Sequence, residues 1–293
     1  ESGIMPTTYR THFAIIGEPL ISIIIPNKDN IDTLETCVSS ILNLSTYKNY
    51  EILVVENNSE EAETFQYYEE LKKRDPRIQV IAYQGSFNYS KINNFAVQYA
   101  KGEHLLFLNN DTQVIAPDWL QEMLGYSQRE DVGGVGAKLD YPDDTIQHAG
   151  VVVGLGGYAA HAHRNFTRES VGYIYRIILP NNFSACTAAC LMMKKSVFLE
   201  VGGFTEEFTV AYNDVDLCLK IRETNRYIVY TPYAELYHYE SKTRGDDNAD
   251  SEKTKRFDRE KALFAKRWHD ILEKGDPFYN VNLTLSAEDF SLR

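Results

Sequence analysis

Short apolar runs alternate with amphipathic stretches along the first 110 residues of the chain. Four runs are bounded by polar or turn residues and predict buried strands: 20–25, 50–55, 78–81 and 105–108. Between them, apolar residues recur at helical spacing and predict three helices: one from residue 31, one over 61–73 and one over 89–100. Strands that alternate with helices favour a mostly parallel sheet with helices on both faces. We therefore expect an α/β fold.

The second half of the chain is less regular. We expect its strands and helices in these places: strands at 132–139, 149–153, 187–193 and 227–230, and helices at 196–201, 214–223 and 250–273. The expected organisation is a linker or N-terminal extension at 1–19, one main domain over 20–245 and a C-terminal helical extension over 246–293.

Polar side chains follow or precede three of these segments. Glu56 and Asn57 come after the second strand, Asn110 and Asp111 follow the fourth, and Asp214 opens a late helix. The carboxyl ends of parallel strands form a ligand crevice, and carboxylate oxygens are the ligands that a hard divalent cation prefers. Structural roles compete with this interpretation, since Asp111 also suits a turn and Asp214 also suits a helix cap.

The balance of charges narrows the class of partner. The chain has 30 Lys and Arg against 42 Asp and Glu, a net charge of −12, so it lacks the basic surface that nucleic acid requires.

Its four cysteines lie in apolar contexts without a CxxC pair, which indicates reduced core residues. No apolar run approaches the roughly 20 residues of a membrane span.

Five segments, in this order, resemble the family 2 glycosyltransferases: SIIIPNKDN (22–30), EILVVENNS (51–59), LNNDT (108–112), GGF (202–204) and NDVDLC (213–218). Two further segments are similar to a bacterial subgroup that builds cell-surface polysaccharide and often transfers rhamnose, galactose or galactofuranose: FNYSKINN (87–94) and HYES (238–241). The resemblance covers about residues 20–245.

This resemblance implies an inverting enzyme with the GT-A fold, a Rossmann-like central sheet flanked by helices, with a smaller acceptor-side sheet and a C-terminal helix. Residues 20–112 would bind the nucleotide-sugar and residues 113–245 the acceptor. The implied donor is a nucleotide-diphospho-sugar, taken here as a UDP- or dTDP-sugar, and the implied cofactor is Mn²⁺ or Mg²⁺. The acceptor is a saccharide or a lipid-linked saccharide.

The resemblance also implies roles for individual residues. Asp214 matches the general base of the family. The expected metal ligands are Asp111, His238 and Asn109. The expected nucleotide-sugar contacts are Pro26, Asn27, Asp29, Glu56, Asn58, Lys91, Asn94 and Asn110. For Glu56 and Lys91, a solvated surface position is the competing interpretation.

The chain departs from the family pattern at two positions. Asn109 replaces the first Asp of the Asp-x-Asp motif and is a weaker, neutral ligand, while Asn213 replaces the acidic residue that usually precedes the base. A weaker set of candidates for an acceptor or sugar pocket comprises His148, His161, His163 and Asp216. The histidines fit polar positions in a flexible loop equally well, and Asp216 also suits a structural role at the helix start.

We therefore expect a metal-assisted inverting glycosyltransferase of bacterial surface polysaccharide synthesis, in the cytoplasm or at the inner membrane face. The alternative is a weakly active or non-catalytic sugar-nucleotide-binding domain of a larger synthase, which the two asparagines motivate. Other domains of a larger glycosyltransferase are expected partners. A nucleotidyltransferase or a dehydrogenase is disfavoured, because no glycine-rich phosphate loop follows the first strand.

Overall fold

A computed structural model of the chain describes residues 1–240 and 251–293. Within them the strands are β1 (Ile21–Asn27), β2 (Tyr50–Glu56), β3 (Ile78–Ala82), β4 (His104–Leu108), β5 (Thr112–Val114), β6 (Val132–Asp140), β7 (Ile146–His148), β8 (Val151–Val153), β9 (Ala159–His161), β10 (Asn181–Phe183), β11 (Cys190–Lys194) and β12 (Tyr227–His238). The helices are α1 (Ile31–Leu44), α2 (Ala62–Arg74), α3 (Tyr89–Val97), α4 (Trp119–Ser127), α5 (Lys195–Glu200), α6 (Asn213–Glu223), α7 (Ser251–Arg267) and α8 (His269–Lys274).

The main sheet has the strand order β10-β12-β6-β11-β4-β1-β2-β3, with β5 paired to β12 and β7 paired to β6. Strands β4, β1, β2 and β3 run parallel, whereas β11 is antiparallel to both of its neighbours. A second, two-stranded antiparallel sheet joins β8 to β9. The expected α/β fold, a mostly parallel central sheet with a smaller second sheet, is confirmed.

The central strands are buried on both faces, which explains why their sequences are continuous apolar runs. Ile24, Leu53 and Phe107 point into one core, which includes α3, α5, α6 and α7. The alternate residues Ile23 and Ile52 point into the other core, against α1, α2 and α4. The N-terminal segment reaches this second side, where Arg10 forms an ion pair with Asp118 at 2.7 Å.

Several details differ from the expectations. The third helix, expected over 89–100, ends at Val97, so Tyr99 lies beyond it and is 47% exposed, as is Phe65 of α2. The last strand does not end before Pro232: β12 continues to His238 through a register shift between Thr231 and Glu235. A local irregularity of this kind lets a strand accommodate proline.

The four cysteines are free and buried, so their expected role as reduced core residues is confirmed. Over the described residues, no helix combines the length and the apolar character that crossing a bilayer requires. The expected boundary between 245 and 246, and Ser241 of the HYES segment, lie outside the described residues.

Candidate active site

A cleft of about 380 Å³ opens where β1 and β4 end. It lies at the carboxyl edge of parallel strands, where open α/β sheets bind their ligands. Its lining residues come from the ends of β1, β2 and β4, from the loop after β1 and from the region where α3 starts: Pro26, Asn27, Lys28, Asp29, Asn30, Asn57, Phe87, Tyr89, Ile92, Asn109, Asn110 and Asp111. Six of these were predicted from the sequence, namely Pro26, Asn27, Asp29, Asn109, Asn110 and Asp111.

A chain of buried hydrogen bonds fixes the floor of this cleft. The Asn110 amide donates to the Asn27 side-chain oxygen at 2.7 Å. The Asn27 amide donates to the Tyr68 hydroxyl at 2.8 Å, and that hydroxyl donates to Glu56 at 2.8 Å. The ends of β4, β1 and β2 are therefore locked to each other and to α2.

Asp111 and His238 come together because β5 pairs with the end of β12, opposite the tip of β4. His238 Nε2 lies 3.2 Å from Asp111 Oδ1 and 3.2 Å from the Asn109 side-chain nitrogen. Both Asp111 and His238 are buried. The three residues expected to hold a metal are thus adjacent, although 129 residues separate Asn109 from His238.

These side chains fit a divalent cation only as part of its ligand shell. Over the described residues, no group of three or more His, Cys, Asp and Glu side chains converges on a single point. Mg²⁺ sites commonly use one or two carboxylates and leave the other positions to substrate phosphates and water. A carboxylate, an imidazole and an amide therefore suit an ion that is shared with a bound diphosphate.

Asp214 lies in the first turn of α6, where the helix dipole favours a carboxylate. Its Oδ2 accepts a hydrogen bond from the Ala188 amide at 3.1 Å, and the Ala188 carbonyl accepts one from the Tyr89 hydroxyl at 3.0 Å. The half-buried carboxylate is thus tied through Ala188 to a residue that lines the cleft. The neighbouring Asn213 donates to the Val210 carbonyl at 2.9 Å, a bond that an ionised carboxylate at this position cannot make.

A second wall of polar side chains lies around His161, on whose pKa the charge of Asp214 acts. The His161 Nδ1 atom lies 2.9 Å from the Gln147 carbonyl. Burial lowers the pKa of His161, while the carboxylates of Asp214 and Glu240 act against that shift. Tyr141 donates to Glu240 at 2.8 Å. Burial alone would raise the pKa of Glu240, but this hydrogen bond and the nearby His238 and Arg164 bring it below its ordinary value.

The other four predicted nucleotide-binding residues do not line the cleft. Glu56 accepts hydrogen bonds from Ser59 and Tyr68 behind the cleft. The Asn58 amide donates to the Gly85 carbonyl, and Asn94 is hydrogen-bonded through both side-chain atoms to the backbone of Phe204. The Lys91 side chain is exposed on the first turn of α3. Contacts of these four residues with a donor stay a prediction.

Three of the weaker candidates have structural positions. His163 is fully buried, stacks on Phe290 at 4.2 Å and accepts a hydrogen bond from the Tyr173 amide. His148 is also fully buried, so its pKa is well below the ordinary value. Asp216 is fully buried and accepts hydrogen bonds from Thr205 and Trp268. His161 is the one residue of this set that is half-buried, and its pKa is influenced by the charge of Asp214.

Sequence reasoning missed the aromatic side of the cleft. Phe87 and Tyr89 line it, and Phe87 keeps 47% of its surface exposed. The sequence feature that could have indicated it is the aromatic residue directly before Asn88, the N-cap of α3. The Asn88 side chain accepts a hydrogen bond from the Lys91 amide. An exposed aromatic ring at such a place suits stacking of a planar base.

Comparisons with known proteins agree with this architecture. The family model described as glycosyl transferase family 2 matches residues 22–202. The chain is 48% identical over 293 residues to an uncharacterized protein, y4gI, of Sinorhizobium fredii, covering 99% of this chain and 32% of that protein. It is 39% identical over 289 residues to the O-antigen biosynthesis protein RfbC of Myxococcus xanthus, covering 98% of this chain and 22% of that protein. The chain therefore spans a third or less of the length of these two relatives.

Among solved structures, a mannosyltransferase from Pyrobaculum calidifontis, in complex with GDP-Man and Mn²⁺, superposes with a TM-score of 0.63 at 15% identity, over 89% of this chain and 68% of that one. At this identity the likeness shows the fold alone, which is the GT-A fold of glycosyltransferases. The family match covers more than half of the chain, and the chain therefore belongs to glycosyl transferase family 2. The resemblance inferred from the five sequence segments is confirmed.

Proposed function

We propose that this domain transfers a sugar from a nucleotide-diphospho-sugar to a saccharide hydroxyl with inversion at the anomeric carbon. One observation carries the proposal: Asp111, in contact with His238, lines the cleft, and Tyr89, which lines the same cleft, is linked through the backbone of Ala188 to the Asp214 carboxylate. A pair that can hold a cation beside the leaving diphosphate and a basic carboxylate are the two groups that such a displacement uses.

The donor would lie across the ends of β1 and β4. Phe87 offers a face for stacking of the nucleobase, and the Asn27 and Asn110 pair, locked by their mutual hydrogen bond, offers preorganised polar groups beneath it. Lys28 lines the same cleft, where its ammonium group is paired with Glu60 at 2.9 Å. The diphosphate would then point toward Asp111.

Asp111 and His238, with Asn109 beside them, are the residues that would hold a divalent cation at this end of the donor. When bound, Mn²⁺ or Mg²⁺ supplies the positive charge that stabilises a departing nucleoside diphosphate. The neutral Asn109 leaves the site with one carboxylate, so we propose that the cation binds together with the donor and only weakly without it.

Asp214 would accept the proton of the attacking hydroxyl, which is a poor nucleophile until it is deprotonated. Its two oxygens already accept hydrogen bonds from the Ala188 and Val215 amides, so the carboxylate is held in a fixed orientation. The facing wall of His161, Glu240, Tyr141 and Arg164 would contact the acceptor sugar. Since burial lowers the pKa of His161, its ring is neutral near pH 7 and suits hydrogen bonding to hydroxyl groups.

The biological setting follows from the relatives rather than from the geometry. One relative is named for O-antigen biosynthesis, which supports a role in bacterial surface polysaccharide synthesis on a saccharide or lipid-linked acceptor. We place this work in the cytoplasm, at or near the inner membrane face. Because the two relatives are three or more times longer than this chain, other domains of a larger glycosyltransferase are proposed partners.

The test is a panel of UDP-, dTDP- and GDP-sugars, with Mn²⁺ and with EDTA. We expect metal-dependent binding and slow nucleotide release with one nucleotide class, followed by transfer to a saccharide acceptor whose product has the opposite anomeric configuration. Tight nucleotide binding without turnover for every donor and acceptor would favour the alternative, a non-catalytic sugar-nucleotide-binding domain. Absence of binding to every nucleotide would reject the proposal.

A further inference from the structure

The 205–212 segment leads directly into the first turn of α6 and hence into Asp214. One side of this segment contacts the start of α3, at the edge of the cleft. The Tyr89 amide donates to the Thr209 carbonyl at 2.9 Å, and the Ser90 hydroxyl donates to the Phe208 carbonyl at 2.6 Å. The segment therefore lies between the proposed donor site and the proposed base.

The other side of the segment is held by one carboxylate from α7. Glu260 accepts hydrogen bonds from the amides of Thr209 at 2.7 Å, Val210 at 3.2 Å and Ala211 at 2.8 Å. It also accepts one from the Thr209 hydroxyl. Glu260 is only 1% exposed, so these bonds are shielded from water, and bonds to an ionised carboxylate are stronger than neutral ones.

The same helix stabilises an unfavourable backbone conformation next to the base. Tyr212 precedes α6 with φ of +61°, a left-handed conformation that is costly for a bulky residue. Its ring stacks on Phe264 of α7, with ring centres 4.8 Å apart, and its carbonyl accepts from the Asp216 amide at 2.8 Å. The contact with Phe264 therefore helps to hold this strained turn.

The helix pair α7 and α8 contacts α6 at a third point. The buried Asp216 carboxylate accepts from the Trp268 indole at 2.9 Å and lies 3.0 Å from the Arg267 guanidinium. Asp216 is two residues from Asp214, on the same first helical turn. The C-terminal helices therefore hold α6 on both sides of Asp214, through the backbone of 209–211 before it and through the Asp216 side chain after it.

We propose that Glu260 is a positioning residue for the transfer reaction: by binding the amides of Thr209, Val210 and Ala211, it sets the orientation of Asp214. This inference rests on the proposed function, because it assumes that Asp214 is the base. Loss of the Glu260 carboxylate would leave three amide donors without a charged acceptor. The segment would then relax, and small displacements of a reacting group can reduce turnover by about a hundredfold.

The test compares Glu260→Gln with Asp258→Asn, which makes the same carboxylate-to-amide change at an exposed position of α7. Three properties are measured on each protein: hydrogen–deuterium exchange of the amides at 209–211, UDP binding with Mn²⁺, and turnover of the donor identified by the panel. Turnover is expressed per UDP-binding site, so that any unfolded fraction does not count. If Glu260→Gln does not fold, Glu260→Asp replaces it.

For Glu260→Gln we expect faster exchange at 209–211, unchanged UDP affinity and turnover per site reduced by about 10- to 100-fold. Asp258→Asn should match the wild type in all three. Unchanged exchange, or turnover per site equal to that of the wild type, would overturn the inference. If the wild type binds no nucleotide, the proposed function fails, and the exchange data alone then decide whether Glu260 holds the segment.

Discussion

A buried charge cluster at the end of β6, which pairs with the His238 strand β12, leads to a prediction of how the free energy of unfolding depends on pH. Asp140, the last residue of β6, is fully buried, and its carboxyl lies 3.5 Å from Lys138 Nζ and 3.6 Å from Arg168 Nε. Both cations make their closer contacts with Glu235 instead, at 2.9 Å and 3.0 Å. Asp140 is therefore the poorly paired carboxyl of the cluster.

The consequence is a carboxyl that holds a proton near neutral pH. Burial, with the Glu235 charge adding to it, raises the pKa of Asp140 from 3.8 to about 7. A carboxyl whose pKa is raised by folding stabilises the protein at low pH, and that stabilisation is lost as the pH rises through the folded-state pKa. Between pH 5 and pH 7 the folded chain keeps a proton that the unfolded chain has released. At about 1.36 kcal/mol per pH unit, and with the folded carboxyl half ionised at pH 7, the loss over this interval is roughly 2 kcal/mol.

Asp140→Asn removes this titration and keeps the shape of the side chain. We expect the free energy of unfolding of the wild type, measured by urea titration at pH 5, 6, 7 and 8, to fall relative to that of the variant by about 2–3 kcal/mol across the series. Taking the difference between the two proteins cancels the titration of distant groups. Parallel profiles over this range would show that Lys138 and Arg168 keep Asp140 ionised, and would refute the reasoning.

Two further predictions concern the cleft itself. Asp111→Asn and His238→Ala should each lower the affinity for Mn²⁺ by at least about 10- to 100-fold and so abolish the gain in UDP affinity that Mn²⁺ gives. UDP binding in EDTA should stay unchanged, and isothermal titration calorimetry with and without Mn²⁺ measures both affinities. A variant that keeps the Mn²⁺ effect would show that the changed residue is not a metal ligand. Phe87→Ala should raise the dissociation constant of UDP by roughly 5- to 150-fold, since base stacking contributes about 1–3 kcal/mol. Tyr99→Ala removes an equally exposed ring just beyond the end of α3 and should leave the dissociation constant unchanged. Equal effects of the two changes would contradict the stacking role.

The sequence was sufficient to predict the features that depend on local patterns. Apolar runs gave the central strands within one or two residues, because strands buried on both faces have no polar alternation to obscure them. Of the six cleft-lining residues that were predicted, Asn110 and Asp111 follow from the rule that parallel strands present their carboxyl ends at one edge, and the other four were implied by the family resemblance. The pairing of Asp111 with His238 came from the family resemblance, and the register of β5 against β12 explains it.

The features that were missed depend on contacts between distant parts of the chain. The Asp29 carboxylate accepts hydrogen bonds from the Glu60 and Glu61 amides at the start of α2, a contact that its position directly after β1 does not indicate. The hydrogen bonds that the Glu56 oxygens accept from the Tyr68 hydroxyl and Ser59 were not foreseen either, and a contact of Glu56 with the donor stays a prediction. Glu260 lies 51 residues from Thr209, and nothing in its local sequence distinguishes it from the other charged residues of α7.

The most direct test of the central claim is the comparison of wild type with Asp214→Asn, measuring nucleotide binding and sugar transfer on the same preparations. The account predicts that the variant binds the nucleotide and Mn²⁺ as tightly as the wild type and loses transfer by about 10²- to 10⁴-fold, the usual contribution of a general base. Transfer that persists at the wild-type rate would show that another group takes the proton, and the assignment of Asp214 would be wrong.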